Sequence, residues 1–153
     1  MAAFPLSSPK VTGNFFRESS LCLDKYFLEG LPNKDMTSTR AVNIYAFSYA
    51  KGGPPAEAKL PGSVVIDCRV LPNVWKDRSL RGLSGKDQRV MDWLYVQSPL
   101  QVNYLQDQAM KAARKDKASN VYFGCQHGKH RSVAMAVEFA ARLLASNPQI
   151  KDK

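Results

Sequence analysis

The stretch Asn120-Val-Tyr-Phe-Gly-Cys-Gln-His-Gly-Lys-His-Arg-Ser-Val133 constrains this chain most. Val121 to Phe123 read as a short buried strand. Gly124 opens a loop that runs to His130, and a helix starts near Arg131. A strand–loop–helix unit of this kind aims unpaired backbone N–H groups at one point, with the positive end of the helix dipole behind them. Lys129, His130 and Arg131 add side-chain donors. The make-up of the loop predicts anion binding, with phosphate first among the anions.

The rest of the chain supplies a frame for that loop. Val42, Ile44 and Ala46 alternate with Asn43, Tyr45 and Phe47, which predicts a strand over 41–48. Gly52-Gly53-Pro54-Pro55 breaks it, and Ala56 to Leu60 fit a short helical turn. Val64-Val65-Ile66 predicts a buried strand leading to Asp67. Residues 68–86 read as a long basic loop, and loops of that length inside a domain are often functional. Helices are expected over 87–97, over 99–117 and over 131–145. In the second, Leu105, Ala109, Ala112 and Ala113 face inward. In the last, Val133, Val137, Ala140, Ala141 and Leu144 do so. The order predicts a layered α/β single domain with a mainly parallel sheet, whose ligands sit beyond the carboxyl ends of the strands. Asp67 and Cys125 each follow a strand directly and so share that edge. Residues 1–38 read as a partly irregular arm with one short helix around 18–29, ended by Gly30 and Pro32; the domain proper then occupies 39–153.

Composition narrows the partners. The net charge of +9 favours nucleic acid, anionic metabolites or acidic surfaces, with solubility as the plain alternative. Cys22, Cys68 and Cys125 are odd in number and widely spaced, which fits a reducing, cytoplasmic compartment. No stretch reads as a membrane span or a secretory signal, although Lys10, Arg17 and the early serines faintly resemble a transit segment. His127 and His130 share one loop and offer too few ligands for a metal centre, so no metal and no cofactor are expected.

Two constellations carry chemistry. Cys125 to Ser132 fits Cys-x5-Arg-Ser, the spacing by which cysteine phosphatases attack phosphorus while loop amides and the arginine hold the equatorial oxygens. On that reading Cys125, Arg131 and Asp67 would be catalytic. Gly124 stands where such enzymes carry a histidine, and Asp92, which has a suitable spacing for the general acid, falls inside a helix. The plain alternative for Cys125 is a small apolar residue at a strand end. Asp67-Cys-Arg-Val-Leu-Pro-Asn73 is the second constellation. Asp67 and Arg69 at period two can read a polyol and an anion together, or simply pin the loop as a pair. Gly82-Leu-Ser-Gly-Lys86 lacks the spacing of a nucleotide-binding P-loop. Trp75, Trp93 and the tyrosines can stack on bases, with core packing the expectation for Trp93.

Taken together, these segments resemble the C-terminal domain of the RapZ (YvcJ-like) family of bacterial RNase adapter proteins. Phe47-Ser-Tyr-Ala-Lys-Gly-Gly-Pro54 looks like that family's Ser-Phe-Gly-x-x-x-Gly-x-Pro turn. Asp67 to Asn73, with Leu80-Arg81 and Ser84-Gly85-Lys86-Asp87, is similar to its Asp-x-Arg-x-Leu-Pro-Asn … Leu-Arg-x-x-Thr-Gly-x-Asp stretch. Gly124 to Val133 looks like its Gly-Cys-Thr-Gly-Gly-x-His-Arg-Ser-Val loop. The likeness spans about residues 41–145.

The resemblance implies a phosphate or amino-sugar-phosphate pocket, binding of RNA, contact with an endoribonuclease, and a homo-oligomer. The pocket it points to is Asp67, Cys125, His130 and Arg131; together with the loop and Asp67–Arg69 readings above, the expected ligand set is Asp67, Arg69, Cys125, Gly128, Lys129, His130, Arg131 and Ser132. Lys76, Arg78, Arg81 and Lys86 are RNA candidates on the charge argument alone. Gln126-His127 replaces the family's Thr-Gly, and Ser48 replaces a turn glycine. The 153 residues hold no counterpart of the family's N-terminal P-loop ATPase half or of its basic tail. The expectation is a non-catalytic module that binds phosphate or a sugar phosphate and also RNA, with the departures from the family leaving room for a lost or changed RNA partner.

Overall fold

A computed structural model describes residues 11–18, 21–32 and 39–146, with side chains from Val42 onward. Among the described residues, five strands form one sheet: β1 (Val11–Glu18), β2 (Leu21–Pro32), β3 (Thr39–Ser48), β4 (Ser63–Asp67) and β5 (Asn120–Cys125). Their order is β1-β2-β3-β5-β4. β3, β5 and β4 run parallel; β1 and β2 extend the sheet as antiparallel neighbours of β3. Three helices follow β4 and β5: α1 (Gln88–Gln97), α2 (Pro99–Arg114) and α3 (Arg131–Ala145). This is the layered α/β domain that the sequence predicts, with the expected parallel pairing in β3, β5 and β4 and two antiparallel strands added beside them.

The helix expected over 18–29 is a correction. Those residues fall largely in β2, which pairs with β1 from Glu18↔Leu21 outward and with β3 from Asp24↔Ala46. Leu21, Leu23 and Phe27 fit a period of two, and the aromatic content of 15–28 suits a pleated surface. Gly30 and Pro32 looked like a helix stop. Gly30 instead lies where the β2–β3 register shifts, between Leu28 and Leu31, and Pro32 is the last strand residue.

The core lies on one face of the sheet. Val42, Ile44, Ala46, Ile66, Val121 and Phe123 meet the inner sides of all three helices there. Val90, Met91 and Leu94 bury α1; Val102, Leu105, Ala109 and Ala113 bury α2. β5 is the central parallel strand and is buried from Val121 to Cys125, as strands covered on both faces are. β4 is an edge, so Val65 of the expected buried run is 37% exposed. On the opposite face Tyr45 stacks on Tyr122 at 4.4 Å, beside Phe47 and under the turn at Ala58.

α3 packs on β5 and β3 and also against α1 and α2, while α2 itself rests on β4 and β5. α3 buries Val133, Met135, Ala136, Phe139, Ala140 and Leu143. Val137 and Leu144 are only half-buried and Ala141 is exposed, against expectation. The large Phe139 and Leu143 turn the helix so that they fill the space against Phe123 and its neighbours. α2 ends at Arg114, short of the expected Lys117, which takes a left-handed φ of 56°.

Candidate functional site

The carboxyl ends of β3, β5 and β4 deliver Ser48, Cys125 and Asp67 to one edge. Ser48 pairs in register with Cys125, and Asp67 with Gly124. The loop 126–130 leaves this edge and enters α3. Its first half is held by β3: Tyr49 N donates to Cys125 O at 3.0 Å, Ala50 N to Gln126 O at 2.9 Å, and Ser48 Oγ to Gln126 O at 2.8 Å. Two glycines make this fit possible. A Cβ on Gly124 would overlap the Phe47 ring. Gly128 has φ +69°, and a Cβ there would lie 2.9 Å from Ser48 Cβ.

The second half of the loop is held by the basic loop. Gly85 N donates to Lys129 O at 2.8 Å, and Lys129 Nζ donates to Arg81 O at 3.1 Å. Arg131 Nη1 donates to Arg69 O at 3.2 Å and to Leu71 O at 2.9 Å. The 69–86 loop and the anion loop are therefore one hydrogen-bonded unit.

What remains unpaired is the backbone. Among the described residues, no acceptor takes the N–H groups from His127 to Val133; the first bond is Ala134 N to His130 O at 2.9 Å. No side chain caps α3. By contrast, Asp87 caps α1 and Asp67 caps the turn Cys68–Val70. An uncapped helix start preceded by unpaired loop amides has donors to spare for an anion.

The side chains divide into two groups. Buried beneath the loop are Cys125, whose thiol donates to Ser132 Oγ at 3.2 Å, and His130, whose Nε2 has no hydrogen-bond partner among the described residues. Burial pushes the His130 imidazole below its ordinary value, with the carbonyls of Leu83 and Arg81 acting the other way. It is therefore neutral near pH 7. At the rim, Asp67 and Arg69 form a bidentate pair, Nε–Oδ1 at 3.0 Å and Nη2–Oδ2 at 2.8 Å. The Arg69 hydrogen bond holds the Asp67 carboxyl below the usual carboxylate range. The Arg69 guanidinium also lies 3.6 Å from the centre of the Tyr49 ring.

The structure thus brings Asp67, Arg69, Cys125, Gly128, Lys129, His130, Arg131 and Ser132 to one edge. Sequence reasoning missed Tyr49 as a member; its place directly after β3, at the same end of the sheet where β4 ends on Asp67, was the available signal. Asp92 lies on the exposed side of α1, where its Oδ1 accepts from Gln88 Nε2 at 3.0 Å. Of the basic candidates, Lys76, Arg78 and Lys86 are exposed. Arg81 is half-buried, with Nε donating to Trp75 O at 2.6 Å. Trp93 packs against the core, as expected. Among the described residues no group of three or more His, Cys, Asp or Glu is placed to hold a metal, and no helix is long and apolar enough to cross a membrane.

Comparison with known proteins adds to this geometry. The family model described as the RapZ C-terminal domain matches residues 40–152. A protein of Thermobifida fusca named as a nucleotide-binding protein is 36% identical over 108 residues, covering 66% of this chain and 35% of that relative. A nucleotide-binding protein of Xanthomonas euvesicatoria is 41% identical over 102 residues, 62% of this chain and 34% of its own length. One from Bifidobacterium longum is 38% identical over 117 residues, 71% of this chain and 34% of its own. The chain spans about a third of the length of these relatives.

Proposed function

Since the chain belongs to the RapZ C-terminal domain family, we propose that it is a phosphate-ligand binding module whose anion seat is the 126–133 loop. The observation that carries this is the run of unpaired amides from His127 to Val133 at the uncapped start of α3. A phosphoryl group accepts several hydrogen bonds at once and is favoured by the helix dipole. The buried, unpaired His130 Nε2 supplies a further contact. Arg131 contributes charge, and its Nη1 fixes the 69–71 segment in place. At the rim, the exposed part of Asp67 and Arg69 faces the group that carries the phosphate. The name of the relatives, nucleotide-binding protein, is compatible with a phosphorylated ligand. The preferred ligand here is a sugar phosphate, such as that of an amino sugar. RNA is the second proposed partner, through Lys76, Arg78 and Lys86 on the attached loop, with an RNase contact, self-association and a cytoplasmic setting following from the family premise.

A second reading has one observation in its favour. Cys125 Sγ lies 3.2 Å from Ser132 Oγ, an arrangement in which a hydroxyl could stabilise a thiolate nucleophile. Against it, the Asp67 carboxyl is held ionised by Arg69 and so lacks the proton a general acid must give.

Thermal melting with inorganic phosphate and hexose phosphates, run beside an assay for released phosphate, separates the two. Binding without turnover is expected, with a rise in melting temperature that saturates with ligand. Phosphate release that vanishes in Cys125→Ser would establish the phosphatase instead. No rise with any phosphate would end the binding reading.

A further inference from the structure

Tyr49 lies outside the residues that seat the phosphate, yet it closes a ring of contacts around them. Its backbone N–H donates to Cys125 O at 3.0 Å, at the start of the anion loop. Arg131, at the end of that loop, donates to Arg69 O at 3.2 Å. The circle is completed by side chains: the Arg69 guanidinium lies over the Tyr49 ring at 3.6 Å. β5 runs between β3 and β4, so this contact spans the edge of the sheet from the strand on one side of Cys125 to the strand on the other.

We infer that the Arg69–Tyr49 strap selects the ligand by what is attached to its phosphate. The inference rests on the phosphate-seat reading of the 126–133 loop. A planar base entering on a phosphate gains most by stacking on an aromatic face. At this edge one face of Tyr49 is already covered by a guanidinium, the ring also meets Phe47 in a T-shaped contact with centroids 5.0 Å apart, and the guanidinium is held along its edge by a bidentate carboxylate. A base must therefore displace a cation–π contact and an ion pair before it can stack. A hydroxylated group makes no such demand. It needs hydrogen-bonding atoms at the rim, and Asp67 and Arg69 remain 42% and 45% exposed there. Arg69 brings little net attraction for a second anionic group, because Asp67 already offsets its charge. The strap thus favours hydroxylated monoesters and disfavours nucleotides at the same seat.

The test is calorimetric titration of inorganic phosphate, a hexose 6-phosphate and a nucleoside 5′-monophosphate into the wild-type chain, Tyr49→Ala, Tyr49→Phe and Arg69→Ala. The wild type is expected to prefer the hexose phosphate over the nucleotide by about tenfold or more. Tyr49→Ala and Arg69→Ala are expected to shrink that ratio to within about threefold, while Tyr49→Phe, which keeps the ring, retains it. Arg69→Ala, an exposed truncation, reports on the strap if Tyr49→Ala does not fold. Phosphate binding by the wild type with no preference between the esters overturns the strap alone, as does a ratio unchanged in both alanine variants. Absence of phosphate binding by the wild type overturns the seat and the strap together.

Discussion

Gly124 shows how a single residue sets what the loop can be. The Phe47 ring occupies the space of its missing side chain, so the histidine found at this place in cysteine phosphatases has no room. A departure that the sequence displays without a cause is, in the structure, a packing requirement. His130 is the second residue of consequence. Burial pushes its imidazole below the ordinary value of 6.5, so as the pH falls the unfolded chain takes up a proton before the folded one does. The contribution of this group to stability is therefore full above about pH 6.5 and is lost as the pH falls through the lower, folded-state value. The melting temperature is expected to drop as the pH falls below about 6.5, with a shallower slope in His130→Gln. An equal slope in that variant would show that other groups govern the acid response.

At the scale of elements, the site depends on how the basic loop docks onto the start of α3. Gly85 lies against His130 O and Ala134 N, where any Cβ would overlap backbone. Gly85→Ala should cost about 1–3 kcal/mol and weaken phosphate binding as the loop is pushed from Lys129, measured by urea denaturation and titration. A stable variant that binds normally would show the docking to be incidental. The elements were legible to different degrees. β3, β4, β5 and the three helices could be read from alternation, apolar runs and spacing, because each buries a continuous face. β2 was misread, since a short apolar segment ending in Gly30 and Pro32 fits a helix stop as well as a bulged strand end. Only the pairing with β1 and β3 decides between them. The inward set of α3 was partly missed because its first turns are buried on nearly every side, which erases the period that a surface helix shows. The site residues could be named from the two motifs. Their partners could not: that Arg131 grips carbonyls of 69–71, that Lys129 reaches Arg81 and that Arg69 covers Tyr49 are results of the chain crossing between strands.

At the scale of the molecule, the hydrogen-bonded union of the basic and anion loops gathers Lys76, Arg78, Arg81, Lys86, Lys129 and Arg131 on one connected unit of a chain with net charge +9. For RNA held there by Lys76, Arg78 and Lys86, replacing all three by alanine should lower affinity and flatten the dependence of log K on log salt by about two units, at about 0.7 per lost single-strand phosphate contact. Unchanged affinity and slope in fluorescence anisotropy would place RNA elsewhere or nowhere on this chain. The rim, the strap and the RNA surface all depend on the phosphate seat, whose most direct test is a two-dimensional amide NMR titration with inorganic phosphate. The largest saturable shifts are expected at the N–H groups from His127 to Val133, the amides that no acceptor takes among the described residues. Shifts that fail to saturate, or that centre on residues away from this loop, would contradict it.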